Sequence, residues 1–212
     1  SRNQPVALVV GAAGVLGSHL VDKLLDKGIQ VAGVDNLEGG KKENLKEAVK
    51  SRNFHLVIES AQKLELDLFR LDYLFIVSSG GWNLDKVLDL FKDTKARCLF
   101  VSSIELYEKE NNGGSLRWLK EAESKIAKFA SDNNLNARIL RLGPVFGPRM
   151  NFKTKDPIVK LIQQALTDDL QTGISLEFSS RALYISDAID LMIRTIFAGS
   201  TAQKIFDGVL PA

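Results

Sequence analysis

One cysteine, Cys98, and two histidines, His19 and His55, are the only thiol and imidazole groups in this chain of 212 residues. A single thiol cannot close an internal disulfide, and Cys98 lies in the apolar run Arg97-Cys-Leu-Phe-Val101, so it reads as a small buried hydrophobe. The histidines stand apart, one in an expected helix and one in an expected strand, with no partner at metal-ligand or triad spacing. Both are read as structural, and no metal site is expected. Glu105 and the pair Asp168-Asp169 lack a convincing carboxylate partner for hydrolysis. No apolar stretch reaches the length of a membrane span and no signal-peptide pattern opens the chain, so a cytoplasmic protein is the expectation. A surplus of one charge is lacking too. With 28 basic and 26 acidic side chains the net charge is +2, which gives no reason to invoke nucleic acid or a membrane surface. Repeats, low-complexity tracts and linkers are also absent, and the length fits one domain with a sizeable core.

What is present begins with Pro5-Val-Ala-Leu-Val-Val-Gly11-Ala-Ala-Gly14-Val-Leu-Gly17-Ser-His-Leu20. Val6 to Val10 reads as a strand buried on both faces of a parallel sheet. Leu20, Val21, Leu24 and Leu25 then recur at helical spacing. Between them, Gly11 permits a sharp turn, Gly14 lets backbone approach a pyrophosphate, and Gly17 lets the helix pack close to the sheet. The amides around Ala13, Val15 and Leu16 and the positive end of the helix would face the phosphates. A second strand, Gln30-Val-Ala-Gly-Val34, ends at Asp35, near the spacing of the acid that holds the adenosine ribose hydroxyls. The competing reading is an α/β turn that binds no cofactor. An acid there repels a 2′-phosphate and favours NAD over NADP, while Lys41 and Lys42 just beyond it pull the other way.

Further strands are predicted at 54–58, 73–77, 98–101 and 137–142, with helices over 84–91 and 115–130. A short helix after Asn44, a helix over 157–170, a short strand at 176–178 and a last helix over 186–197 complete the pattern. Alternating strands and helices argue for an α/β fold, a doubly wound parallel sheet covered on both faces. Ligands of such sheets lie at the carboxyl ends of the strands. That places Asn36 beside Asp35, and Glu59 where it could contact an adenine amino group or stand as a solvated charge. Ser78 and Ser79 would cover the cofactor or form an ordinary loop. Trp82 could cap the crevice, although packing is the plainer role. Ser102 and Ser103 reach the same edge.

The stretches Gly11 to Leu20, Val34-Asp-Asn36, Gly40-Lys-Lys-Glu-Asn44, Ser102-Ser-Ile-Glu-Leu-Tyr107, Arg141-Leu-Gly-Pro-Val-Phe-Gly-Pro-Arg149 and Arg181-Ala-Leu-Tyr-Ile-Ser-Asp187 occur in order along nearly the whole chain. Together they resemble the extended short-chain dehydrogenase/reductases, specifically the NAD-dependent epimerase/dehydratases that act on nucleotide sugars. Gly147-Pro-Arg-Met150 is similar to the decarboxylase and dehydratase branch. The resemblance implies a Rossmann-type NAD-binding domain over 1–212, with 143–212 contributing a reduced substrate-side region. It also implies hydride transfer between a sugar carbon and NAD. In that family a tyrosine acts as acid/base, with a lysine four residues later on the same helix face lowering its pKa. Ser103 matches the catalytic Ser/Thr, Lys120 falls at or next to the lysine position and could hold the nicotinamide ribose, and Arg181 matches an arginine that binds nucleotide phosphates. Ser103 and Arg181 also have plain readings, as a strand-end hydroxyl and a surface charge.

The chain departs from the family at the tyrosine. It has three, and four residues after Tyr73, Tyr107 and Tyr184 stand Val77, Asn111 and Ala188. Counting back from Arg141 puts Leu116 in the tyrosine's place, and the other register puts Glu121 there. The segment 108–114 is short, Phe178-Ser-Ser180 replaces a glycine-rich loop, and the sequence stops where relatives continue into a sugar-binding domain. Two functions follow: an NAD-dependent nucleotide-sugar enzyme with weak or lost catalysis, or a non-catalytic module that senses a dinucleotide or holds a partner. Trp118, Ile126 and Phe129 would form a homodimer face, as the corresponding helix does in relatives, or be buried within the monomer.

Overall fold

A computed structural model describes residues 4–59, 70–78, 80, 82–107, 114–150, 182–199 and 204–209. β1 (Val6–Val10) lies at the centre of the sheet because both its faces are apolar. Alternation sends Ala7 and Val9 into one core cluster and Leu8 and Val10 into the other. The same division runs through β2 (Gln30–Asp35), β4 (Tyr73–Ile76) and β5 (Arg97–Ser103). With β3 (Phe54–Ile58), β6 (Ala137–Leu142) and β9 (Ile205–Gly208) these strands form a seven-stranded sheet in the order β3-β2-β1-β4-β5-β6-β9. Every pairing in it is parallel.

Parallel neighbours need crossovers, and the amphipathic helices supply them. α1 (Val15–Asp26) buries Leu20, Val21 and Leu24 on one face of the sheet, beside α4 (Ile185–Phe197) with Ala188, Ile189, Met192 and Ile196. On the other face, α2 (Leu84–Thr94) buries Val87, Leu88 and Phe91, and α3 (Ser115–Asp132) buries Leu119, Ala122, Ile126 and Ala130. The strand order reverses between β1 and β4, which opens a crevice at their carboxyl ends. The doubly wound fold expected from the sequence is the fold observed.

Several local expectations differ from the structure. The run after Lys41 forms two 3₁₀ turns, Lys42–Leu45 and Ala48–Lys50, rather than a short helix. The Gly/Pro-rich loop after β6 contains β7 (Val145–Phe146), which pairs with β8 (Leu183–Tyr184) in a separate two-stranded sheet. β9 was not expected, because Ile-Phe-Asp-Gly is short and mostly solvent-facing and carries little period-2 signal. The helix expected over 157–170 and the strand over 176–178 lie outside the described residues. Trp82 is buried at 5% exposure in the α2/α3 core, which is the packing role. Ile126 is fully buried there, and Trp118 and Phe129 pack against that core while remaining partly exposed.

Candidate functional site

The turn after β1 needs its glycines for three different reasons. Gly11 sits at φ +85°, donates its N–H to the Val34 carbonyl at 2.8 Å, and would place a Cβ 3.0 Å from the Ser78 nitrogen. A Cβ on Gly17 would lie 1.9 Å from the Gly11 oxygen, so α1 can approach the turn this closely only with glycine there. A Cβ on Gly14 would meet only the Gly11 oxygen at 3.4 Å, so the helix mouth is open. Gly14 is the N-cap residue and caps nothing, and no acid occupies the first turn. The amides of Val15 and Leu16 therefore begin the helix at its positive end without a carboxylate to compete for them.

Asp35 is 4% exposed at the end of β2 and braces the turn. One carboxylate oxygen accepts the Ala13 N–H at 2.8 Å, and the other accepts the Leu37 N–H at 2.8 Å. Each oxygen retains a lone pair for a hydroxyl. Asn36 accepts the Glu38 N–H at 3.2 Å, and the Glu59 amide donates to the Asp35 carbonyl at 3.2 Å. The loop beyond also closes on the turn. Lys41 N–H and the Asn44 side-chain amide both reach the Ala13 carbonyl, at 3.0 and 2.8 Å. Asn44 is thus a turn-bracing residue that its sequence position alone did not reveal.

Beyond the turn lies a cavity of about 230 Å3, lined by Leu16, Val77, Ser78, Val101, Ser102, Ser103, Leu119, Leu142, Gly143 and Val145. Strands β4, β5 and β6 deliver most of this wall at or just past their carboxyl ends, α1 contributes Leu16 and α3 contributes Leu119. Ser78 Oγ donates to the Gly80 carbonyl at 3.0 Å, and Ser103 Oγ accepts the Glu105 N–H at 3.2 Å. Ser102 is different. It is 6% exposed, and its Oγ has no hydrogen-bond partner among the described residues, so a buried hydroxyl in the crevice wall is left for a ligand or water to satisfy.

Of the sequence-predicted residues, Ser78 and Ser103 meet at this cavity with Leu16. Lys120 does not join them. It is exposed on α3, and its neighbour Leu119, 6% exposed, takes the crevice position. Ser79 and Arg181 lie outside the described residues.

The register of α3 is fixed by Glu123. Both of its carboxylate oxygens accept from Arg141 on β6, at 2.9 and 2.6 Å, with side-chain exposures of 9% and 15%. Hydrogen bonding to Glu123 raises the Arg141 pKa above its ordinary value, against the opposing effect of burial. The Tyr107 ring lies 4.4 Å from the same guanidinium, and the Tyr107 hydroxyl donates to Asp207 at 3.1 Å.

All three tyrosines are accounted for, and none lines the cavity. Tyr73 packs against Phe197 in a tilted pair with centroids 4.9 Å apart, Tyr184 lies against Phe146 at 5.5 Å, and Tyr107 is engaged as above. At the outer side of the turn, Arg149 in the left-handed region (φ +68°) pairs with Asp22 at 2.7 Å and ties the loop after β7 to α1. Burial lowers the pKa of His19 nearby, partly offset by its hydrogen bond to the Val15 carbonyl.

An uncapped helix mouth, a glycine turn that admits no Cβ at Gly17, a carboxylate at the end of β2 and an orphaned hydroxyl at the end of β5 fit a dinucleotide. The class is therefore a Rossmann-type dinucleotide-binding fold. The sequence model of the NAD dependent epimerase/dehydratase family matches residues 7–205, and the chain belongs to that family. The family is NAD-dependent, which agrees with the cofactor expected from Asp35. Among curated proteins, the chain is similar to UDP-glucuronic acid decarboxylase 3 of Arabidopsis thaliana, at 27% identity over 92% of this chain and 67% of that protein. It is also similar to UDP-glucuronic acid decarboxylase 1 of Xenopus tropicalis, at 26% identity over 88% of this chain and 52% of the relative. The chain thus spans between half and two thirds of these relatives.

Among solved structures, dTDP-glucose 4,6-dehydratase from Bacillus anthracis in complex with NAD superposes with a TM-score of 0.77 at 17% identity, over 96% of this chain and 74% of that one. UDP-glucose 4-epimerase from Thermotoga maritima with UDP-glucose gives 0.73 at 19% identity, over 95% and 76%. These likenesses concern the fold.

Proposed function

We propose that this chain binds NAD in the crevice between the glycine turn and the ends of β4 to β6, and that hydride transfer to nucleotide sugars is weak or lost. The observation that carries the second half is the crevice wall. Ser103 stands at the edge, but the α3 residue facing the cavity is Leu119, and no phenol lines it. A bound NAD supplies a hydride acceptor. Oxidising a sugar carbinol also requires a group that removes the hydroxyl proton, and an unaided serine is a poor base at neutral pH. Ser103 can orient a hydroxyl, yet it has no described base within the wall to receive a proton.

The relatives' printed names, decarboxylases, dehydratases and epimerases of UDP- and dTDP-sugars, make nucleotide sugars the substrate class to test. Calorimetric titration with NAD and NADP comes first, with NAD expected to bind more tightly. Incubation with NAD and a panel of UDP-, GDP- and dTDP-sugars should then yield no transient NADH absorbance and no altered sugar. Rapid turnover abolished by Ser103→Ala would overturn the reading of lost catalysis and leave the NAD site standing.

A further inference from the structure

We infer that the crevice distinguishes the oxidation states of the dinucleotide, holding the neutral dihydronicotinamide form, NADH, more tightly than the cationic form, NAD+. This rests on the reading that the crevice takes the nicotinamide half of NAD, and the experiment below separates the two. The two forms share every group except the ring, which carries a positive charge when oxidised and none when reduced. Any difference in affinity therefore comes from what surrounds the ring.

The described residues that line the cavity carry no charge. Six aliphatic side chains make the wall, and its only polar side chains are three serines. No aromatic ring lines it to offer a cation–π face. The nearby Glu123 carboxylate is not a free counter-ion, because Arg141 occupies both its oxygens. Ser102 Oγ, buried and without a described partner, can satisfy the ring's carboxamide, but that group is common to both forms and confers no preference. Desolvating a cation against an apolar wall is costly, whereas burying a neutral ring of the same shape is favourable. Both effects favour NADH.

A protein that lacks the acid/base pair for turnover does not consume the bound dinucleotide. Its occupancy then follows the NADH/NAD+ ratio, which is the behaviour of a redox-ratio reader.

The test is calorimetric titration of the purified chain with NADH, NAD+ and ADP-ribose, the last carrying the diphosphate and both riboses but no ring. The expected result is an NADH Kd at least tenfold below that of NAD+, with NAD+ no tighter than ADP-ribose. If ADP-ribose binds and NAD+ equals or exceeds NADH, the inference is overturned and the dinucleotide site stands. If none of the three binds, the NAD reading itself fails and takes this inference with it. Leu119→Glu places a carboxylate in the wall and should shift the ratio at least fivefold toward NAD+. Should Leu119→Glu not fold, Ser103→Asp at the half-buried edge makes the same test. An unchanged ratio in a folded acidic variant refutes the inference.

Discussion

Replacing Glu123 removes the one acid on the apolar stripe of α3 and strands the Arg141 guanidinium, whose side chain is 15% exposed. Breaking a buried ion pair from one side costs about 3–5 kcal/mol because the remaining charge is left uncompensated. Arg141 retains a sliver of solvent and the face of Tyr107, so Glu123→Ala is placed at the lower end, about 3 kcal/mol. For a domain of this size that lowers Tm by roughly 6–12 °C. Glu123→Gln keeps an acceptor and should cost less, about 2 kcal/mol. The double variant Glu123→Leu/Arg141→Met removes both charges and should recover to within about 1 kcal/mol of wild type. Urea unfolding followed by circular dichroism on wild type, Glu123→Leu, Arg141→Met and the double variant gives the coupling energy directly. A coupling of at least about 2 kcal/mol is expected if the bidentate geometry is the anchor of α3. A value under about 0.5 kcal/mol, or a double variant as unstable as the sum of its singles, would refute the claim that this pair sets the helix register.

Gly17→Ala drives a Cβ to within 1.9 Å of the Gly11 oxygen and should abolish NAD binding with a stability loss of about 3 kcal/mol by thermal melting, whereas Gly39→Ala, with nothing within 4 Å, should change neither. Asp35→Ala leaves the Ala13 and Leu37 amides without their acceptor and should cost about 2–4 kcal/mol while narrowing the gap between NAD and NADP. A wild type that already prefers NADP contradicts the reading of Asp35. Burial pushes the Cys98 thiol up from its ordinary 9.0 to about 12, so the folded chain should resist thiol reagents at pH 8 and react once unfolded. Because the folded state holds that proton more tightly, this contribution is whole below pH 9 and is lost as pH rises from 9 toward 12, a decline measurable in urea midpoints.

The architecture was legible wherever a strand is buried on both faces. Val6–Val10 is a continuous apolar run, Gln30–Asp35 is apolar between its polar ends and Ala137–Leu142 is apolar apart from two arginines, and each lies where the pattern put it. Legibility failed for strands that derive their order from neighbours. β7 and β8 are two residues each and exist because the loop after β6 folds back over α4, and β9 is an edge strand whose pairing with β6 no local signal announces. The glycine turn was readable because its steric demands are local. The bracing of that turn by Asp35 and Asn44 was not, since it depends on how the end of β2 and the loop beyond it sit against Ala13. The two serines ending β5 show the same limit. Adjacent strand residues point to opposite faces, so Ser103 lies half-buried at the crevice edge while Ser102 is buried on the face toward α3, both within the cavity wall.

The difference between Lys120 and Leu119 decides how the site is read. Consecutive residues on a helix are about 100° apart, so a register uncertain by one position moves an ammonium from the crevice wall to open solvent. Counting back from Arg141 along the chain could not resolve that step, because the turn between α3 and β6 absorbs a residue without trace. A physical marker of register was nevertheless present in the sequence. The buried stripe of α3 runs through Leu119, Ala122, Ile126 and Ala130, and Glu123 is a carboxylate set among them. An acid in that setting requires a cation from the neighbouring strand, and Arg141 is the basic residue near the end of β6 on the side that faces α3. Pairing the two turns Glu123 inward, and the buried stripe through Leu119, Ala122, Ile126 and Ala130 then puts Leu119 rather than Lys120 at the crevice. The ion pair that anchors the helix therefore also places an aliphatic side chain in the crevice wall, and the proposals of weak or lost catalysis and of a preference for a neutral ring both rest on that placement.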